Sequence, residues 1–298
     1  MPDIPMVKMG NIYYFMYMGI AILITVLAVA FLKNKNQKFR HWFIFGLIML
    51  AFTLHFMKIF IWPYTTVEAI FTKVSFENIC AVSTLLFPFL YFTKNKTLKD
   101  YMIMVGMASG ILTIIFPVDA MSEYFNGEII GFRSAFNLEI LRFYSAHILL
   151  FLIPFLMMRF KMHELSIRRA YRAPLILILV LVIIYINELI MTALHWVPKE
   201  DLYNPDKRNP SFIFGVRGDL TGLGLIIGIF VPYFMRINPF TGVKLFWPVI
   251  WLVLPAIVYG GLITLIFMFI YDTQETLLFF KKILRINPCK NKEADVPD

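Results

Sequence analysis

The stretch Phe76 to Phe92, FENICAVSTLLFPFLYF, puts a carboxylate, an amide and a thiol into the opening turn of an otherwise hydrocarbon segment. A thiol becomes a nucleophile when a neighbouring base or cation raises its thiolate fraction. Cys80 is the thiol here, and His147 is a candidate for the base. Further ionisable and polar residues recur inside apolar runs: His55 and Lys58, Glu139 and Arg142, Asn187 and Glu188. Such groups pair with one another, hold a charged headgroup or bind a small solute. A serine-type nucleophile elbow, a nucleotide loop and a metalloprotease helix are all absent from the sequence. The two cysteines, Cys80 and Cys289, lie far apart and without zinc spacing, so neither a disulfide, a metal site nor a cofactor is expected.

These residues need elements to hold them. The chain has 298 residues, 59% hydrophobic and only 16% charged, with a mean hydropathy of +0.73. A soluble domain runs nearer half apolar and a quarter charged. Apolar runs of about 18 residues or more, enough to cross roughly 30 Å of hydrocarbon, recur along the sequence. The expected fold is an all-α, polytopic transmembrane helix bundle. Hydropathy places seven spans at 13–32, 42–62, 76–93, 101–117, 138–158, 174–194 and 247–270. Residues 1–285 form a single membrane domain and 286–298 a short polar tail.

Lys33, Lys35, Lys38 and Arg40 follow the first span, Lys94, Lys96 and Lys99 the third, and Arg159, Lys161, Arg168, Arg169 and Arg172 the fifth. The intervening loops are acidic or balanced. That alternation puts the N-terminus outside and the C-terminus in the cytoplasm; the expected location is a bacterial plasma membrane. It also accounts for the net charge of +9 without any nucleic-acid partner. Ala28-Val29-Ala30 has the look of a cleavage site, but the basic residues follow the apolar core instead of preceding it, as in an uncleaved anchor. Leu220 to Met235 is apolar but short and rich in glycine; as a full crossing it makes eight spans, as a re-entrant or interfacial segment it leaves seven.

With that orientation, Lys58, Glu77, Cys80, Glu139, Arg142, His147, Asn187 and Glu188 all fall in the outer half of the membrane. Buried charge costs at least about 2.5–3.5 kcal/mol at mid-helix, so these groups are expected to face inward and pair, Lys58 or Arg142 with Glu188, Glu77 or Glu139. Counted from the helix starts, the depths of Cys80 and His147 differ by roughly 7 Å at 1.5 Å per residue, which tilt can absorb. Each residue alone has a plain reading too. Glu77 and Glu139 can sit at headgroup level, Lys58 can snorkel, Cys80 can be a small hydrophobe and His147 a structural histidine. One polar chamber explains them together.

NICAVSTLLFPFLYFTKNKTLKDYMIMVGMASGILTIIFP is similar to the third and fourth helices of the YwaF / transmembrane protein 164 family of integral membrane proteins. There a cysteine early in one helix precedes an apolar run, a basic turn and a Gly-containing helix that ends at proline. LRFYSAHILLFLIPFLM resembles that family's next helix, and LFWPVIWLVLPAIVYGGLITLIF its last. The resemblance covers most of 40–195 and 245–270. It implies a phospholipid acyltransferase in which Cys80 carries the acyl group and His147 is the base. Residues 75–79 depart from the Leu/Pro-rich approach that the family has before its cysteine, and about 196–245 resembles an insertion. On this reading membrane lipids are the partners, an acyl-lipid is the substrate, and Lys58, Arg142, Asn187 and Glu188 line its binding site. The alternative is a non-enzymatic carrier or channel for a small polar or anionic solute, using the same chamber.

Overall fold

Asparagines start five of the membrane helices. Asn11, Asn36, Asn78, Asn95 and Asn137 each accept a hydrogen bond from a first-turn N–H through the side chain. That satisfies donors which hydrocarbon would leave bare. In a computed structural model, which describes residues 5–208 and 211–285, the helices are α1 (Ile12–Lys33), α2 (Gln37–Phe56), α3 (Ile79–Phe92), α4 (Lys96–Ile115) and a short α5 (Val118–Met121). They continue as α6 (Leu138–Arg159), a short α7 (Ile167–Ala170), α8 (Arg172–Ala193), α9 (Thr221–Gly228), α10 (Ile250–Tyr271) and α11 (Thr273–Arg285). The strands Tyr124–Phe125 (β1) and Glu128–Ile129 (β2) pair antiparallel as a small hairpin. Six helices are long and apolar enough to cross a membrane, and α3 is a shorter apolar helix among them.

α3 occupies the expected span 76–93 but is shorter, running from the Glu77 end of the bundle to Tyr91, whose hydroxyl donates to the His41 carbonyl at the start of α2. It has 14 residues, roughly 21 Å of rise, well short of the hydrocarbon thickness. Asn78 is its cap, and Glu77 precedes the helix instead of sitting in its opening turn. The chain ahead of it, from Met57 to Val74, folds into three 3-10 turns that bury Lys58, Tyr64 and Thr72. This connection is part of the bundle's interior, so Lys58 lies on a turn beyond α2 proper. α9 has 8 residues, about 12 Å, and is followed by a 3-10 turn at Tyr233–Met235, so the eight-span alternative is not what forms.

α4 is the central helix, packed against α6, α3 and α8. Two glycines permit this. A Cβ on Gly110 would stand 2.7 Å from the Phe151 nitrogen and 2.9 Å from the His147 carbonyl oxygen, and one on Gly106 2.7 Å from the Phe87 ring. Gly110 therefore excludes a side chain unless the helices part, and a side chain at Gly106 would have to displace the Phe87 ring. α8 and α10 close the other flank. α1 lies at the periphery, most of its surface uncovered by protein, and is held to α6 through the stacked rings of Tyr17 and Tyr144, 3.8 Å apart.

Candidate functional site

Cys80 is the second residue of α3 and half-buried. Its neighbours are fixed by the cap. Asn78 accepts from the Ala81 N–H at 2.8 Å, and the Ile79 N–H donates to Ser211 Oγ at 2.9 Å, from the segment between α8 and α10. Ser109 and Thr113, one turn apart on α4, are the hydroxyl residues near the thiol, and the Ser109 hydroxyl donates to the Gly106 carbonyl at 3.2 Å. Beside it, Ile79 and Ser109 line a cavity of about 140 Å³ whose other walls come from α4, α8 and α10 and are apolar, including Leu112, Pro174 and Ile263, apart from Thr264.

His147 stands on α6 beside the same stretch of α4, its carbonyl against Gly110. Its Nδ1 is 2.7 Å from the Phe143 carbonyl oxygen. A carbonyl only accepts, so Nδ1 carries the proton, and in the neutral ring Nε2 holds the lone pair. Among the described residues no hydrogen bond joins Cys80 to His147. α4 brings the two to one level, with Ser109 and Thr113 toward the thiol and Gly110 against the histidine's backbone.

The charged residues collect at the end of the bundle where α2 closes, α3 and α6 begin, and α8 ends. Lys58 Nζ lies 2.6 Å from Glu77, and Lys73 lies 3.9 Å from the same carboxylate. Arg142 is paired with Glu139 at 2.7 Å, and both touch the buried Tyr64 hydroxyl, which donates to Glu139 at 2.8 Å. The expected inward-facing pairs are therefore Lys58–Glu77 and Arg142–Glu139, and Glu188 joins neither. It is fully buried and held bidentate by Arg208, at 2.7–2.9 Å. Asn187 donates to Ser75 Oγ at 3.1 Å, and the His55 Nε2 lies 3.0 Å from the Val74 carbonyl oxygen.

Lys73 and Arg208 are the members that the sequence did not flag. Lys73 sits four residues before Glu77, which is a legible spacing once that stretch is known to be buried. Arg208 sits in a polar connection with no periodicity to mark it. Burial pushes the Lys73 ammonium down to about 8, against the opposing pull of Glu77. Imidazoles aside, four cations (Lys58, Lys73, Arg142, Arg208) face three carboxylates (Glu77, Glu139, Glu188), which leaves one surplus positive charge.

The opposite end of the bundle holds buried charge as well. Asp100, in the first turns of α4, is buried and pairs with His163 at 2.6 Å and Arg169 at 2.7 Å, tying the connection after α6 to α4. Cys289 lies outside the described residues. Among the described residues no group of His, Cys, Asp and Glu could hold a metal ion.

A model of the TMEM164 family matches residues 8–199, more than half of the chain. The match takes in α1, which the resemblance read from the sequence did not include, and ends before α10, which that resemblance did include. It contains Lys58, Cys80, Arg142, His147, Asn187 and Glu188, and leaves Arg208 outside. No curated protein and no solved structure matches the chain.

Proposed function

The chain belongs to the TMEM164 family and is an integral membrane protein, and from that premise we propose that it moves an acyl chain between membrane lipids through a thioester on Cys80. The observation that carries this reading is the place of Cys80 in the chain next to Ile79, which lines the largely apolar cavity together with Ser109. A nucleophile beside a slot lined mainly by hydrocarbon suits an acyl substrate, whereas a small polar solute gains little from such walls. The charged end, one positive charge in surplus, suits the phosphate of a headgroup. Lys58, Lys73 and Arg142 are the cations nearest that role, while Asn187 and Glu188 hold Ser75 and Arg208 in place. The site faces the outer side of a bacterial plasma membrane, with the C-terminus cytoplasmic.

In the first half-reaction, Cys80 Sγ bonds to the carbonyl carbon of the donor ester and the ester C–O bond breaks. The thiol proton passes to His147 Nε2 and on to the departing alkoxide. In the second, the hydroxyl of an acceptor lysolipid attacks the thioester and the S–C bond breaks. His147 takes the hydroxyl proton and returns it to sulfur. Both steps need Nε2 within hydrogen-bonding reach of Sγ or of the reacting hydroxyl, directly or through one water.

The test is transfer of a labelled acyl chain from a diacyl phospholipid to a lysophospholipid by the purified protein in vesicles. Labelled product that disappears with Cys80→Ser is the expected result. The rival carrier tolerates that change and moves solute instead, so full retention of transport with no lipid product would replace this reading.

A further inference from the structure

α11 has no place among the crossings. At 100° per residue, Thr276, Leu277, Phe279, Phe280, Ile283 and Leu284 fall on one arc, while Gln274, Glu275, Lys281 and Lys282 fall on the other with Leu278. Thr276 is buried and Phe280 half-buried, but the rest of the apolar arc is not covered by protein: Leu277, Phe279, Ile283 and Leu284 are all exposed, Leu284 by 77%. Its orientation is set at both ends. Asp272 breaks the helix between α10 and α11, and Thr273 Oγ donates back to the Phe269 carbonyl at 2.6 Å. Phe280 then stacks parallel on Phe269 with ring centroids 6.1 Å apart. Phe269 is itself an exposed residue of a membrane-crossing helix, so it faces lipid. The apolar arc of α11 therefore continues the lipid-facing surface of α10 at the point where that helix leaves the hydrocarbon.

From this geometry we infer that α11 is an interfacial helix that lies in the headgroup layer at the end of α10, with its apolar arc in the acyl boundary and Lys281 and Lys282 on the phosphates of anionic lipids. Continuity with α10 selects a bilayer over a soluble partner, since the arc begins beside a residue already in lipid. Charge selects the lipid: two adjacent lysines flank the exposed arc, and the one acidic residue of the helix, Glu275, lies 3.8 Å from Arg168. Amphipathic helices with basic flanks bind by this combination of buried apolar area and attraction to anionic headgroups.

The test is hydrogen exchange of the full-length protein in nanodiscs of phosphatidylcholine alone or with phosphatidylglycerol, read over 273–285. Two lysines at an anionic surface should slow exchange roughly thirtyfold in the phosphatidylglycerol discs. Lys281→Gln with Lys282→Gln should remove that difference, and Leu277→Ser with Leu284→Ser should remove protection in both discs while leaving α10 protected. Equal exchange in the two lipids would overturn the anionic assignment. Protection that tracks the number of protein copies per disc and ignores lipid charge would overturn it in favour of a second copy of the chain.

Discussion

Lys73 is the residue on which the charge of the polar end turns. It faces Glu77 and Lys58 from its own connection, Asn126 from the β-hairpin turn, and Arg208 and Glu188 from the far side. Its ammonium is held at about 8, below the ordinary 10.5, because burial outweighs the attraction of Glu77. A cation with a depressed value binds fewer protons folded than unfolded between those two pH values. Folded stability therefore rises with pH through that window while the surplus charge of the cluster is lost. Binding of a short-chain anionic phospholipid to the purified protein should weaken as pH passes through about 8, and Lys73→Gln should flatten that profile at its high-pH level. A wild-type profile flat from pH 7 to pH 9 would show that Lys73 does not set it. Lys73 goes unmarked in the sequence, because nothing in FTKVSFEN says that a loop between two spans is folded into the bundle.

At the scale of elements, the connection between α8 and α10 is built into the site. Arg208 reaches Glu188 on α8, Ser211 accepts from the first N–H of α3, and Trp251 at the start of α10 donates to the Phe212 and Ile213 carbonyls. Truncating one partner of a buried ion pair costs about 3–5 kcal/mol, since the other charge is left stranded, whereas replacing both with apolar groups costs far less. Arg208→Ala should therefore lower the thermal midpoint sharply in detergent, and Arg208→Met combined with Glu188→Leu should recover most of the loss. Equal midpoints for Arg208→Ala and the wild-type chain would mean that the strap carries no stability. Hydropathy found the crossing helices to within a few residues, because lipid enforces long apolar runs. It could not find this strap, whose hold on the bundle comes from one arginine and one serine in a stretch without a period. It also missed α11, too short and too charged to register as a span, and it set α3 a few residues early, reading the cap Asn78 as a residue of the helix.

At the scale of the whole molecule, the bundle is polarised. One end gathers seven charged side chains around α2, α3, α6 and α8, the other ties Asp100 to His163 and Arg169, and between them the cavity beside Cys80 opens among α4, α8 and α10. Depth counted along each span put Lys58, Glu77, Glu139, Arg142, Asn187 and Glu188 at one level, and in the fold these residues lie at one end of the bundle. Depth could not say which residues meet, because helix rotation decides whether Glu188 turns to Arg142 or to Arg208, and Cys80 to His147 or to Ser109 and Thr113. The central claim is that Cys80 carries an acyl group, and intact-protein mass spectrometry after incubation with diacyl phospholipid vesicles reads it directly. The wild-type chain should gain the mass of one acyl chain in a hydroxylamine-labile bond, Cys80→Ala should gain none, and His147→Ala should gain it about 10²–10⁴-fold more slowly, the range of general-base assistance. Folded wild-type protein that acquires no adduct, or an adduct that survives in Cys80→Ala, would contradict the account.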